Sequence, residues 1–169
     1  MNAFISKKWL MVTIFYIILI YSSLPFTVDL LNLIYTFTGK EKFSLYVNII
    51  LTFFIVFIIY NLRKEIRKLI LLSVCLLVIL LIAFEIDKPA ERIHFIQYGI
   101  LGFLSMRILK NGIYKSLVFS LIIIFMVGAL DEIIQHFLPN RVGDVRDVIF
   151  NILGGISGIC VGYFYLFYR

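Results

Sequence analysis

Two polar clusters in this chain carry residue types that do acid–base and anion-binding chemistry. The first holds Glu91, Arg92, His94, Gln97 and Tyr98. The second runs from Asp131 and Glu132 through Gln135, His136 and Arg141 to Asp144, Asp147 and Asn151. A histidine oriented by a carboxylate can take or give a proton, and an arginine can hold a phosphate or carboxylate with two parallel hydrogen bonds. His94, Asp131 and Glu132 are therefore the candidates for a catalytic centre. Glu91, Tyr98, Gln135, Arg141, Asp147 and Asn151 are the candidates for holding a ligand. Other chemistries lack their signatures: there is no Gly-rich phosphate loop, no His-Glu-x-x-His and no serine elbow. Two histidines on separate segments match no known metal-ligand spacing, so neither a metal nor another cofactor is expected.

Each candidate also has a plainer reading. His94 serves equally as a satisfied polar group inside a helical bundle, and Asp131 and Glu132 as interfacial residues that end a helix. What raises the functional reading is the setting. Both clusters lie at the ends of long apolar runs, and ionisable residues at membrane depth are costly enough to be functional by default.

The elements that must position these residues are transmembrane helices. The 169 residues are 62% hydrophobic and only 15% charged, far from the balance of a soluble domain. Six apolar runs approach the roughly 20 residues a helix needs to cross a bilayer: Trp9–Phe26, Phe43–Tyr60, Leu69–Ile86, Pro89–Leu109, Ser116–Leu138 and Val145–Tyr168. The expected fold is all-α, a polytopic transmembrane bundle of about six helices forming a single domain over residues 1–169. A β-barrel would show short alternating segments instead. The first run follows Lys7 and Lys8 as in a signal peptide, but has no small-residue cleavage site and reads as a retained helix. The second and third runs read as lipid-facing and chemically silent. Cys75 and Cys160 lie inside apolar runs and read as small fillers.

The net charge of +6 is distributed for membrane orientation rather than for nucleic acid, and no nucleic-acid partner is expected. With the N-terminus in the cytoplasm, the cytoplasmic segments hold Lys7, Lys8, Arg63, Lys64, Arg67, Lys68, Arg107, Lys110, Lys115 and Arg169, ten of the sixteen basic residues. The bias of basic residues toward the inside then places both termini in the cytoplasm and both polar clusters on the outer side.

Helical phase groups the candidates. From Pro89, which suits a first helical turn, Glu91, His94, Tyr98, Gly102 and Ser105 fall within an arc of roughly 80°. In the last run Asp144 suits an N-cap, and Asp147, Asn151, Gly154, Gly158 and Gly162 share a similar arc of about 80°. The glycines, four apart, form a small-residue ladder against which another helix can pack closely. In the fifth run Gly128, Asp131 and Gln135 share one side, with Glu132 and His136 about a quarter turn away. Arg141 and Arg146 are placed to neutralise nearby carboxylates or hold an anion.

The stretch Glu91-Arg92-Ile93-His94-Phe95-Ile96-Gln97-Tyr98-Gly99-Ile100-Leu101-Gly102, then Asp131-Glu132-Ile133-Ile134-Gln135 with Pro139-x-Arg141, then Asp147-Val148-x-x-Asn151-x-x-Gly154-x-x-x-Gly158, resembles the VanZ-like family of bacterial membrane proteins. The likeness covers residues 87–162. It implies a multi-pass protein of the bacterial cytoplasmic membrane with a role in the cell envelope. The family's namesake raises resistance to teicoplanin, a lipid-tailed glycopeptide antibiotic. The expectation that follows is a protein that influences lipoglycopeptide susceptibility by binding or altering a lipid-linked or surface component at the outer leaflet. Its partners would be the bilayer and either a lipid-linked envelope substrate or the lipoglycopeptide itself. The alternative is an intramembrane enzyme using the His–carboxylate–Arg centre on an anionic lipid-linked substrate. A permeation path ranks below both, because the polar residues gather at one end and no internal repeat is present.

The orientation has a direct check. In a background lacking Cys75 and Cys160, single cysteines at Lys88 and Asn140 should react with an impermeant thiol reagent added to intact cells, and one at Lys64 should not. Labelling at Lys64 alone would invert the bundle.

Overall fold

Apolar runs bounded by glycine, proline or charge become helices here, and the boundaries follow those breakers. The computed structural model describes residues 4–62, 89–110, 112–139 and 141–166. These residues form five helices: α1 Lys7–Thr38, α2 Lys40–Leu62, α3 Pro89–Ser105, α4 Ile113–Phe137 and α5 Val145–Leu166. The expected third span, Leu69–Ile86, lies outside the described residues. The all-α class holds for every regular element described. An isolated antiparallel bridge joins Ile5 to Leu109. Helices α1, α4 and α5 are each long and apolar enough to cross a membrane.

The largest departure from expectation is α1. Its apolar run was expected to end at Phe26, yet the helix runs 32 residues, through Pro25, to Thr38. At 1.5 Å per residue that is about 48 Å. Pro25 removes one backbone donor but no glycine or second proline follows before Gly39. Gly39, with φ of 78°, ends the helix and donates its N–H to the Tyr35 carbonyl at 2.9 Å. The chain then reverses into α2. Leu31, Ile34 and Tyr35 pack on the buried Phe43, Val47 and Leu51, and Ile96 of α3 joins them.

Helix α2 is not chemically silent. The buried guanidinium of Arg92 donates to Asn48 Oδ1 at 2.8 Å and Ser44 Oγ at 3.2 Å. The second run therefore presents one side, polar and apolar, to α1 and α3 and the opposite side outward, where Leu45, Ile49, Ile50 and Phe53 are exposed.

The centre of the bundle is the contact between α3 and α5. The partner of the glycine ladder is α3, and both helices contribute glycines. A Cβ on Gly158 would run into the Gly99 carbonyl, and one on Gly102 into the Gly155 carbonyl. A Cβ on Gly154 would stand 2.6 Å from the Phe95 carbonyl oxygen, and one on Gly162 would stand 3.0 Å from Met106 Cβ. Residues 95, 99 and 106 thus face 154, 158 and 162 in rising order, so the two helices run parallel. Helix α4 closes the third side, with Ile124 against Gly155. Tyr98, Leu101, Met106, Ile124, Val127 and Ile159 form the buried core with Ile20 of α1.

Gly158→Ala tests this packing. The added methyl has only backbone to displace, so a loss of about 1–3 kcal/mol is expected, read as a lower melting temperature in detergent. An unchanged melt would mean that α3 and α5 do not approach this closely.

Candidate functional site

The site grows from Asp131 on α4, whose carboxylate is fully buried. A carboxylate in that setting needs donors. Tyr98 of α3 donates its hydroxyl to Asp131 Oδ2 at 2.9 Å. His94, one turn earlier on α3, places Nδ1 3.5 Å from the same oxygen. That separation is long for a hydrogen bond and suits an ion pair once the imidazole is protonated. His94 keeps 17% of its side chain exposed while Asp131 keeps none. The pair therefore has an accessible imidazole backed by an enclosed carboxylate.

The neighbouring residue, Glu132, faces a second set of partners. Its Oε2 accepts the Asp144 backbone N–H at 3.1 Å, and its Oε1 accepts the Gln135 amide at 3.3 Å. Gln135 in turn accepts Arg141 Nη1 at 2.7 Å, and Arg141 Nη2 reaches the Leu24 carbonyl of α1 at 3.5 Å. Arg141 was expected to neutralise a carboxylate or hold an anion; it reaches the Glu132 carboxylate through Gln135. The turn 141–144 folds back over α4, with Gly143 directly against the Glu132 carbonyl and His136 Cβ. This cover buries Glu132, whereas His136, its expected companion in phase, is exposed. Asp144 then starts α5, its Oδ1 accepting the Arg146 N–H at 2.8 Å.

The third contributor is α5. Asn151 is fully buried, and Gly128 makes room for it: a Cβ on Gly128 would lie 3.3 Å from Asn151 Cβ and 3.5 Å from the Tyr98 ring. Asp147 is half-buried one turn nearer the start of α5. Asn151 Oδ1 and Nδ2, Asp131 Oδ1 and Arg141 Nε are buried and have no hydrogen-bond partner among the described residues. Buried polar atoms without partners are rare, and each raises the question of what satisfies it.

Of the candidates, His94, Tyr98 and Asp131 form one contact group, and Glu132, Gln135 and Arg141 a second, joined by the backbone of α4. Asn151 reaches the first through Gly128. Glu91 opens α3, with its side chain outside the described residues. Among the described residues, no three of His, Cys, Asp or Glu stand together as metal ligands.

Sequence reasoning missed three contributors. Tyr21 of α1 donates to the Val127 carbonyl at 3.1 Å, beside Tyr98. Leu24 offers its carbonyl to Arg141, and Asn48 holds Arg92. The signals present were small: Tyr21-Ser22-Ser23 interrupts one apolar run, and a lone asparagine the other.

Helices of membrane-crossing length around a buried polar centre define a helical membrane protein. A family model described as VanZ/LLP1 matches residues 8–168, and the chain belongs to that family. The match takes in α1 and α2 as well as the polar helices. Neither the curated proteins nor the solved structures contain a match.

The Tyr98–Asp131 contact should appear as coupling. Tyr98→Phe is expected to cost about 1–3 kcal/mol by leaving a buried carboxylate short of a donor. In the Asp131→Asn background the same change should cost less, measured as a double-mutant cycle on melting in detergent. Strict additivity would place the hydroxyl elsewhere.

Proposed function

We propose that this protein is a six-helix component of the bacterial cytoplasmic membrane, with both termini inside and the polar centre at the outer leaflet. There it binds a lipid-linked or surface component of the envelope, and so influences susceptibility to lipoglycopeptides of the teicoplanin kind. One observation supports this reading above the others: Asp131, Asn151 and Arg141 each bring an unpartnered buried donor or acceptor to one end of the bundle. An anionic, hydrogen-bonding headgroup supplies what each lacks, with Arg141 on its negative charge and Asn151 and Asp131 on its hydroxyl or amide groups. Family membership supports the envelope role.

A second reading rests on the His94–Asp131 geometry. An accessible imidazole backed by a buried carboxylate is suited to general acid–base work. His94 would remove a proton from water or a substrate hydroxyl, Asp131 would stabilise the imidazolium, and Arg141 would hold a phosphate. This is the intramembrane enzyme.

Complementation of a deletion strain tests both. His94→Gln and Asp131→Asn are expected to insert and melt normally and to lose the susceptibility phenotype. If both variants complement fully, the polar centre is structural. Lipid extracts of the deletion strain separate the two readings. An accumulated envelope intermediate, with turnover lowered about 10²–10⁴-fold in His94→Gln, belongs to the enzyme. An unchanged lipid profile belongs to the binding protein.

A further inference from the structure

The opposite end of the bundle carries a feature that the polar centre does not use. Lys7 and Lys8 open α1, Arg107 and Lys110 lie in the α3–α4 connection, and Lys115 lies in the first turn of α4. These segments are bound together. Ser6 N–H donates to the Ile108 carbonyl at 2.8 Å, and Lys110 N–H donates to the Phe4 carbonyl at 3.1 Å. The Arg107 guanidinium lies over Trp9, 3.9 Å from the ring centroid, with Phe103 at 5.4 Å and Tyr165 of α5 at 5.6 Å. Lys115 Nζ is 5.4 Å from the Phe4 ring and Lys8 Nζ 5.8 Å from the Trp9 ring. Four of the five cations, from three segments, are thereby held on one face, with Lys7 next to Lys8 in sequence.

Among the described residues no carboxylate answers them. None of the five pairs with an acid among the described residues. The described acids all lie toward the other end: Asp29 beyond Leu24 on α1, Glu41 and Glu91 in the first turns of α2 and α3, Asp131 and Glu132 late in α4, and Asp144 and Asp147 at the start of α5. Like charges held together without a counter-charge repel, so the face attracts anions. The four lysines are exposed. Beside them stand exposed apolar side chains, Phe4, Ile5, Tyr114 and Tyr165, at the end of helices long enough to span a membrane. Aromatic residues at that level sit among lipid headgroups, so the anion that meets these lysines is one carrying acyl chains.

We infer that this face is a binding site for the phosphate of an anionic phospholipid headgroup, held by Lys8, Lys110 and Lys115 around the aromatic-caged Arg107. The site is separate from the polar centre and does not depend on the function proposed for it.

Melting of the purified full-length protein in neutral detergent tests the inference. Phosphatidylglycerol added at low salt should raise the melting temperature, and phosphatidylcholine should not. The triple substitution Lys8→Gln, Lys110→Gln and Lys115→Gln should melt like the unaltered protein without added lipid. It should bind phosphatidylglycerol roughly fivefold more weakly for each lysine removed. Equal stabilisation by phosphatidylcholine would overturn the site, as would an undiminished response of the triple variant. Inorganic phosphate that stabilises as well as phosphatidylglycerol at matched concentration would overturn the lipid as its ligand.

Discussion

Everything at the polar end depends on the backbone contact between α3 and α5. In lipid there is no hydrophobic drive to join two helices, because a lipid tail solvates an apolar side chain as well as another helix does. What remains is dispersion between closely matched surfaces, and close matching requires small residues on both sides. Gly99 and Gly102 on one helix meet Gly154, Gly155 and Gly158 on the other. Because the helices run parallel, this contact also sets height: Phe95 is fixed at Gly154, so the turn of α3 that carries His94 and Tyr98 overlaps the turn of α5 just above Asn151. The glycines do no chemistry, yet they determine which polar groups meet.

The second organising fact is that adjacent residues of α4 serve different partners. Asp131 faces α3, where Tyr98 and His94 converge on one of its oxygens. Glu132 faces the returning turn and captures the Asp144 N–H just before α5 begins. One carboxylate is thus oriented by side chains and the other by backbone. The former has an oxygen to spare; the latter is engaged at both. Arg141 is held by neutral groups, Gln135 and a main-chain carbonyl, so its charge is not consumed by a direct ion pair within that contact set.

Much of this was legible in sequence, for reasons that also explain what was not. The spacing of Gly154, Gly158 and Gly162 announced a close contact, since only packing needs small residues on one face. It could not name the partner, because Gly99 and Gly102 are three apart on a helix whose phase also carries the polar stripe. Helical phase put Asp131 with Gln135 correctly on the buried side of α4. It grouped Glu132 with His136, and the returning turn, which donates to the Glu132 carboxylate but leaves His136 exposed, separated them; phase knows nothing of a loop. The first run was drawn to Phe26, where its apolar character fades, but a helix held by packing on both sides of Pro25 continues to the next true breaker, Gly39. The second run, Asn48 included, read as chemically silent, because Asn48's partner, Arg92, comes from a different helix.

The short pairing of Phe4–Ser6 with Ile108–Lys110 has a consequence for biogenesis. Its two segments are separated in the chain by more than a hundred residues, so the contact has a high sequence separation for so small a structure, and closing it requires α3 to be in place. A chain emerging from the ribosome at about 5–20 residues per second completes its first helices well before their N-terminal latch has anything to grip. The α1–α2 hairpin must therefore persist on its own for several seconds, and the bundle is sealed only when the connection into α4 arrives. Residues 4–6 are among the last segments of the bundle to find their place.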